Sequence, residues 1–179
     1  MPDLLAQPPP PAAIAKMQAI PGVRLVPGVL ACQDGPDRHL GPEAAGALLM
    51  LQATFVDEER AARFWDAAAG LMEQLAEAPG FIRRFSFADG PLMTLLALWR
   101  TKADAEAFFS SERHQQAMQD LYAGRWQYSH FAALWEMASP RQRVIFCQEC
   151  DGVTPAAAGT CRGCGSALWD PYAATVATG

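Results

Sequence analysis

The chain has 179 residues and a formal net charge of −5, from 14 Lys and Arg against 19 Asp and Glu. Apolar residues make up 51% and charged residues 18%, so the chain can bury a core and is not globally disordered. The acidic balance argues against nucleic acid or an anionic membrane as the main partner. The length predicts one domain plus a smaller remainder.

The sequence predicts neither a membrane span nor a secretory leader. No segment reaches the roughly 18–20 consecutive apolar residues that a transmembrane helix needs. The N-terminus lacks a basic region, and Pro8–Pro11 interrupt any apolar run, so we expect no cleavable signal. We therefore expect a cytoplasmic protein without a membrane partner.

The first part of the chain is rich in proline. Nine of the 14 prolines lie within residues 1–42. Because proline lacks an N–H donor and fixes φ, we expect neither long helices nor central strands here. Pro8–Pro11 predict a stiff polyproline II stretch. We interpret residues 1–46 as an extended arm, partly ordered through apolar residues such as Val23 and Leu30.

The pattern changes at residue 47, where a strand and then a helix are predicted. The almost wholly apolar run Ala47–Phe55 predicts a buried strand. Asp57 can cap the next helix, whose apolar residues recur at helical spacing as far as Leu75. Gln52 and Trp65 are candidate substrate-binding residues. The alternatives are a hydrogen bond in a dimer interface for Gln52 and a place in the core for Trp65.

Two antiparallel strands are predicted next, joined by a turn at Asp89-Gly90. The first alternates from Phe81 to Phe87, which places Arg83 on the face of the aromatic residues and Arg84 on the other. An arginine on an apolar face is costly unless it is paired or binds an anion. Arg83 is therefore a candidate catalytic residue that anchors a carboxylate or phenolate, with a salt bridge at the rim as the alternative. The second strand, Leu92–Trp99, is apolar on both faces and is predicted to be central.

A second helical region and a last strand complete the pattern. Thr101–Asp104 resembles a capping box and opens a helical region that continues to Gly124, with a break at Ser110-Ser111. A fourth strand is predicted over His130–Met137. The order β-α-β-β-α-β over residues 47–138 is the ferredoxin-like arrangement, so the predicted fold class is α+β.

Two histidines and two aromatic residues are further site candidates. His114 lies on the second helical region, where it can act as a general base or bind a metal ion; the alternative is a solvated or capping histidine. His130 begins the last strand and is preceded by Trp126 and Tyr128. We regard both histidines as catalytic candidates. Trp126 and Tyr128 are candidates for substrate binding at a pocket mouth, with a packed loop as the alternative.

Four of the five cysteines lie within 18 residues, as two Cys-x-x-Cys pairs separated by ten residues. They are Cys147, Cys150, Cys161 and Cys164. This spacing is typical of a closed, structural zinc site with four thiolate ligands. Two disulfide bonds or an iron centre of the rubredoxin kind are the alternatives. Residues 144–168 resemble a zinc ribbon, and we assign residues 139–179 to this ribbon and a tail.

Three segments carry a resemblance to a known family: the break at Ala78–Phe81, the run Leu98–Phe108 and the segment Ser111–His114. Over residues 47–138 the chain resembles the antibiotic biosynthesis monooxygenase group of the dimeric α/β-barrel superfamily. The resemblance implies a homodimer whose two sheets pack face to face, with a pocket between each sheet and its own helices. Some members oxidise aromatic polyketides without a cofactor, others bind or degrade haem, and others have no known reaction.

The haem-degrading branch of that family fits less well. Its tryptophan and its proximal histidine fall on Phe108 and Met118 of this chain. We therefore expect a monooxygenase-like oxidoreductase that acts on a small aromatic or conjugated substrate, whose anion reacts with O₂ directly. One alternative is a haem-binding enzyme with His114 or His130 as axial ligand. The other is a non-catalytic dimeric protein that binds a ligand or acts as a scaffold.

Overall fold

The computed structural model describes residues 11–26, 29–89, 92–139, 142–170 and 172. In chain order their helices and strands are α1 (Pro11–Gln18), β1 (Val23–Val26), β2 (Val29–Asp34), β3 (Ala47–Phe55), α2 (Glu58–Leu75), β4 (Phe81–Asp89), β5 (Leu92–Trp99), α3 (Lys102–Phe109), α4 (Glu112–Gly124), β6 (Gln127–Glu136), β7 (Val144–Phe146) and β8 (Val153–Pro155). None of the described helices is both long and apolar enough to span a bilayer.

One antiparallel sheet organises the molecule, with the strand order β1-β2-β4-β5-β3-β6. Strands β3 to β6 and the helices between them have the order β-α-β-β-α-β, if α3 and α4 are taken together as the second helical region. Within the sheet these four strands run β4-β5-β3-β6. The predicted α+β, ferredoxin-like fold is thereby confirmed. The division at residues 46 and 138 stays a prediction.

The helices of this fold begin where their capping residues are found. The side chains of Asp57, Thr101 and Ser111 each accept a hydrogen bond from the backbone N–H three residues later, at 2.8, 3.1 and 3.3 Å. These bonds satisfy N–H groups that have no partner within the helix. The last strand differs from its prediction, because β6 begins at Gln127 rather than at His130.

The helices pack on one side of the sheet, which we call the helix face; the opposite side is the outer face. Met17 and Trp65 belong to one buried cluster, in which α1 contacts α2. In a second cluster the ring of Trp99 lies 5.2 Å from that of Phe81 and 5.5 Å from that of Phe108. The aromatic side chains at the strand ends therefore hold α3 on the sheet.

A β-bulge in β4 changes which residues share a face with its two arginines. The pairing of β4 with β5 shifts between Phe81 and Arg83, which inserts Ile82 as an extra residue. Beyond this point Arg84 and Ser86 point to the helix face and are 2% and 0% exposed. Arg83 lies on the outer face. Arg83 shares this face with Phe85 and Phe87, as predicted, but Phe81 is on the helix face. The prediction that all three aromatic residues share the face of Arg83 is wrong, because simple alternation does not include an inserted residue.

Residues 11–26 and 29–46 form more regular secondary structure than their proline content predicts. The hairpin β1–β2 extends the sheet, and β2 lies between β1 and β4. The prediction of no central strand in this segment is therefore wrong, because the run Val29–Asp34 contains no proline. Pro11 is the first residue of α1, a position where its missing N–H is tolerated. The rest of the predicted polyproline stretch, residues 8–10, lies outside the described residues.

Asp34, the last residue of β2, forms ion pairs with three arginines. Its carboxylate lies 2.6 Å from Nη1 of Arg24, 3.1 Å from Nε of Arg38 and 2.9 Å from Nε of Arg83. Its side chain is only 9% exposed, so its charge is balanced within the protein. Arg83 thus makes a salt bridge, which was the alternative to a catalytic role. This salt bridge joins β4 to the N-terminal hairpin.

Candidate functional site

A cavity of about 120 Å³ lies between the helix face of the sheet and helices α2, α3 and α4. Its walls are almost entirely apolar. They include Leu49, Leu51, Leu95, Ala97 and Trp99 from the sheet and Phe64, Leu71, Met72, Phe108, Phe109, Met118 and Leu121 from the helices. Its polar groups come from Arg84, His114, His130 and Trp126. Three of the predicted site residues, His114, His130 and Trp126, therefore meet at one cavity.

His130 presents a neutral imidazole to this cavity. Its Nδ1 lies 2.7 Å from Oε1 of Gln127. Because an amide oxygen only accepts, Nδ1 carries the hydrogen and Nε2 keeps its lone pair. Burial lowers the pKa of His130, so the ring is uncharged at pH 7. A neutral imidazole with a free lone pair can accept a proton from a bound molecule.

His114 is held by the aromatic residues that precede it. Its ring centroid lies 5.4 Å from that of Phe108 and 5.2 Å from that of Phe109. Burial lowers the pKa of His114, although a hydrogen bond to the backbone of Phe109 opposes the shift. His114 is thus also uncharged at pH 7, and the cavity contains two neutral imidazoles.

Arg84 is a site residue that sequence reasoning missed. Its Nε donates to Oε1 of Gln33 at 3.0 Å, and its Nη1 donates to Oγ of Ser86 at 2.8 Å. Gln33 is fully buried and donates in turn to the carbonyl oxygen of Met72 at 2.7 Å. Burial lowers the pKa of Arg84 to about 10, which leaves the guanidinium charged at pH 7.

Four predicted site residues do not line the cavity. Gln52 donates to Oγ1 of Thr94 at 3.2 Å, on the outer face. Trp65 is 2% exposed and packs within the core, as its alternative had it. Tyr128 is 63% exposed, and Arg83 pairs with Asp34 as described above. These residues do not reach the cavity because their side chains lie on other sides of their strands or helix. Their roles in catalysis and substrate binding stay predictions.

The four clustered cysteines come together at the C-terminal hairpin β7–β8. Their sulfur atoms all lie within 4.8 Å of one another. The distance is 3.7 Å between Cys147 and Cys164 and 3.6 Å between Cys150 and Cys161. A tetrahedron with metal–sulfur bonds of about 2.3 Å has sulfur–sulfur edges of about 3.8 Å. The four residues therefore fit a metal ion and can bind one.

The backbone around these sulfurs supports that arrangement. The N–H groups two residues after Cys147 and two residues after Cys161 each donate to the sulfur of that cysteine, both at 3.4 Å. A Cβ at Gly152 would lie 2.8 Å from the sulfur of Cys161, so this position needs glycine. The N–H groups of Cys164 and Gly163 lower the pKa of Cys161, whereas hydrogen bonds with Cys164 and Cys161 raise the pKa of Cys150, so the four thiols share their protons.

Arg143 links the cysteine module to other parts of the chain. Its Nε lies 2.9 Å from a carboxylate oxygen of Glu43, and both of its terminal nitrogens donate to Asp170 at 2.8 Å. Its guanidinium also lies 4.9 Å from the ring centroid of Tyr172. The hydrogen bond to Asp170 raises the pKa of Arg143. A bidentate pair of this kind fixes orientation as well as distance.

Residues 48–120 match the family model described as Antibiotic biosynthesis monooxygenase. The match spans less than half of the chain. The chain therefore contains an antibiotic biosynthesis monooxygenase-like domain with a ferredoxin-like fold. No curated protein matches this chain.

Several solved structures are similar to about half of this chain. A conserved protein from Methanosarcina mazei Go1 is 11% identical with a TM-score of 0.45, and the match covers 52% of this chain and 95% of that one. A protein of unknown function from Nitrosomonas europaea is 14% identical with a TM-score of 0.44, covering 54% and 93%. SnoaB, a cofactor-independent oxygenase from Streptomyces nogalater, is 15% identical with a TM-score of 0.42, covering 53% and 96%. Similarity at this level carries no argument about activity.

The two buried imidazoles predict a pH dependence of stability. The pKa values of His114 and His130 lie below the ordinary histidine value of about 6.5, so the unfolded chain binds more protons below that pH. We expect the free energy of unfolding to fall as the pH decreases from about 7 to about 5. Urea unfolding at both pH values would measure it. In the double variant H114Q/H130Q the fall should be smaller, and an equal fall in both proteins would contradict the assignment.

Proposed function

We propose that this chain is a monooxygenase-type oxidoreductase that oxidises a small aromatic or conjugated substrate in the cavity. The observation that carries the proposal is the apolar cavity, which is lined by two neutral imidazoles and mostly by residues of the monooxygenase-like domain. Apolar walls exclude water from a reactive intermediate and strengthen electrostatic interactions within the site. His130 is the proposed general base, and Gln127 holds its ring in the required tautomer.

The proposed reaction begins with proton transfer to His130. Nε2 of its imidazole removes a proton from an acidic CH₂ group, which leaves an electron-rich carbanion conjugated with the ring of the substrate. The carbanion reacts with O₂ and, after protonation, gives a hydroperoxide on that carbon. Loss of water then leaves a carbonyl group. In sum, a CH₂ group and O₂ give C=O and H₂O, and the substrate supplies all the electrons.

The size of the cavity favours a small substrate over haem. An apolar cavity of about 150 Å³ is known to bind benzene. A cavity of about 120 Å³ therefore suits a single aromatic ring. A haem macrocycle is much larger, so the cavity does not favour the alternative in which His114 or His130 is an axial ligand.

For the four-cysteine site we propose a structural zinc ion. The sulfur–sulfur distances of 3.6 and 3.7 Å support it, as do the two backbone N–H groups that donate to sulfur. Four thiolates complete the coordination of zinc and leave no position for a substrate, so the ion would stabilise the module.

We also propose that the chain forms a homodimer through its outer face. Phe131 and Trp135 of β6 lie on this face, with ring centroids 6.4 Å apart and exposed fractions of 48% and 44%. Leu48 and Met50 of β3 pair with this part of β6 and are only half-buried. An uncovered apolar sheet face of this kind favours association with another surface.

The oxygenase proposal predicts O₂ uptake with a compound whose acidic CH₂ group is conjugated with one ring through a carbonyl group, for example benzoylacetone. We expect one O₂ per substrate consumed and one labelled oxygen in the product from ¹⁸O₂. Because general-base catalysis contributes roughly 100- to 10,000-fold, H130Q should lower the rate by about that factor. H39Q is the matched control, since His39 is exposed and does not line the cavity. Binding without O₂ uptake would instead favour the ligand-binding alternative.

The metal proposal predicts one zinc per chain by elemental analysis of freshly reduced protein, and a colourless solution. C161S removes one of the four ligands, so it should lose most of the zinc and lower the melting temperature. C32S is the matched control and should keep its zinc, because Cys32 lies outside the cluster. Less than half a zinc per chain in the unmodified protein would contradict the proposal.

The dimer proposal predicts twice the chain mass of 19.3 kDa in light scattering. W135E places a charge in the middle of the proposed interface and should shift the protein to the monomer, because burying an unpaired carboxylate is costly. W169E is the control, since Trp169 is 74% exposed in the C-terminal segment. A monomeric mass for the unmodified chain would overturn this proposal.

A further inference from the structure

Arg84 places a positive charge in the interior of the domain. The residue is 2% exposed, and both of its hydrogen-bond acceptors, Gln33 and Ser86, are neutral. Among the described residues no carboxylate forms an ion pair with it. Buried charges are normally paired with an opposite charge, because removal from water is costly. The charge of Arg84 therefore lacks the compensation that the rest of the protein gives its buried ions.

The hydrogen bonds of Gln33 determine which way its neutral amide group is oriented. Gln33 donates through Nε2 to the carbonyl oxygen of Met72 at 2.7 Å, so its Oε1 must face Arg84. A guanidinium carries five N–H donors, of which these contacts use two. Nη2 is buried and has no hydrogen-bond partner among the described residues. The guanidinium, which lines the cavity, thus keeps donors for another acceptor.

A purely structural role does not account for these features. As a cross-link between β2 and β4, Arg84 would need only its bonds through Nε and Nη1. A neutral donor would make the same cross-link without the cost of a buried charge. Both the charge and the free Nη2 are explained if a negatively charged oxygen binds there, since charge-assisted bonds to arginine are strong and directional.

The cavity beside Arg84 defines the rest of such a ligand. Arg84 lines it together with the aromatic rings of Phe64, Trp99 and Phe108, and its volume of about 120 Å³ suits one ring. Arg84 is on β4 and His130 on β6, which are separated by three strand spacings, or about 14 Å across the sheet. A carboxylate bound by Arg84 would therefore place its ring on the apolar wall of β5 and β3, which lie between the two residues.

We propose that the cavity binds single-ring aromatic carboxylates, with the carboxylate on the guanidinium of Arg84 and the ring between the apolar walls. This proposal names the substrate class of the proposed oxygenase. Only the oxidation of such a ligand rests on the proposed function. Binding itself depends on Arg84, Gln33 and the cavity walls. Because Gln33 is neutral, the ligand supplies the negative charge that pairs with the arginine.

Binding of benzoate and of benzamide, which has the same shape but no charge, tests the proposal by calorimetry on the full chain. We expect the unmodified protein to bind benzoate at least about tenfold more tightly than benzamide. R84M should lose this preference and keep its benzamide affinity. R84M removes an unpaired buried charge but also the donor to Oε1 of Gln33, so circular dichroism first checks that the variant is folded. R63M removes an exposed arginine on α2 and is the charge-matched control that should bind benzoate as the unmodified chain does.

A second variant tests the role of the neutral neighbour. Q33E gives Arg84 a carboxylate within the protein, so the affinity for benzoate should fall about tenfold. In a separate variant, R84K keeps a positive charge and should retain part of the preference for benzoate that R84M loses. Equal binding of benzoate to R84M and the unmodified protein would overturn the proposal, as would no saturable binding of benzoate. A preserved benzoate preference without O₂ uptake would support the anion site and overturn the oxygenase function, so the two failures are distinct.

Discussion

The hydrogen bond from Arg84 to Gln33 joins three parts of the molecule that are distant in sequence. Arg84 belongs to β4, Gln33 to β2, and the carbonyl group that Gln33 contacts belongs to α2. This chain of bonds holds the N-terminal hairpin beside the sheet, keeps α2 above it and fixes the guanidinium within the cavity. A group that is costly to bury is therefore built into the framework. Such an arrangement exchanges stability for a preorganised site, a trade-off common in functional pockets.

Much of the fold could be predicted because its signals are local. The strand Ala47–Phe55 and the helix capped by Asp57 follow from apolar periodicity and a capping residue, and both have the predicted bounds. The bulge in β4 has no such signal. It arises where the loop after β2 meets the strand, with the N–H of Gly35 donating to the carbonyl oxygen of Ile82 at 2.9 Å. Local alternation alone could not distinguish Arg83 from Arg84.

The four-cysteine cluster and the cavity also differ in whether their signals are local in the sequence. The four-cysteine cluster could be predicted because its residues form two short motifs with a spacing typical of metal sites. The cavity is formed by residues from β3, β4, β5, β6 and three helices, so its lining depends on pairings across the sheet. His114 and His130 can be predicted as site residues because histidine often acts as a base. Gln33 cannot, because it belongs to a proline-rich segment for which the sequence predicts an extended arm. The contact of Arg143 with Glu43, 100 residues away, is equally invisible in the sequence.

The N-terminal hairpin also determines how the sheet ends. Without it, the nine-residue β4 would be an open edge whose free N–H and C=O groups could pair with a strand of another molecule. With it, the outermost strand on this side is β1, which has four residues and an irregular register to its neighbour. Short and irregular edges are poor templates for further pairing. The segment whose Gln33 accepts the hydrogen bond from Arg84 thus also protects this end of the sheet from edge-to-edge pairing.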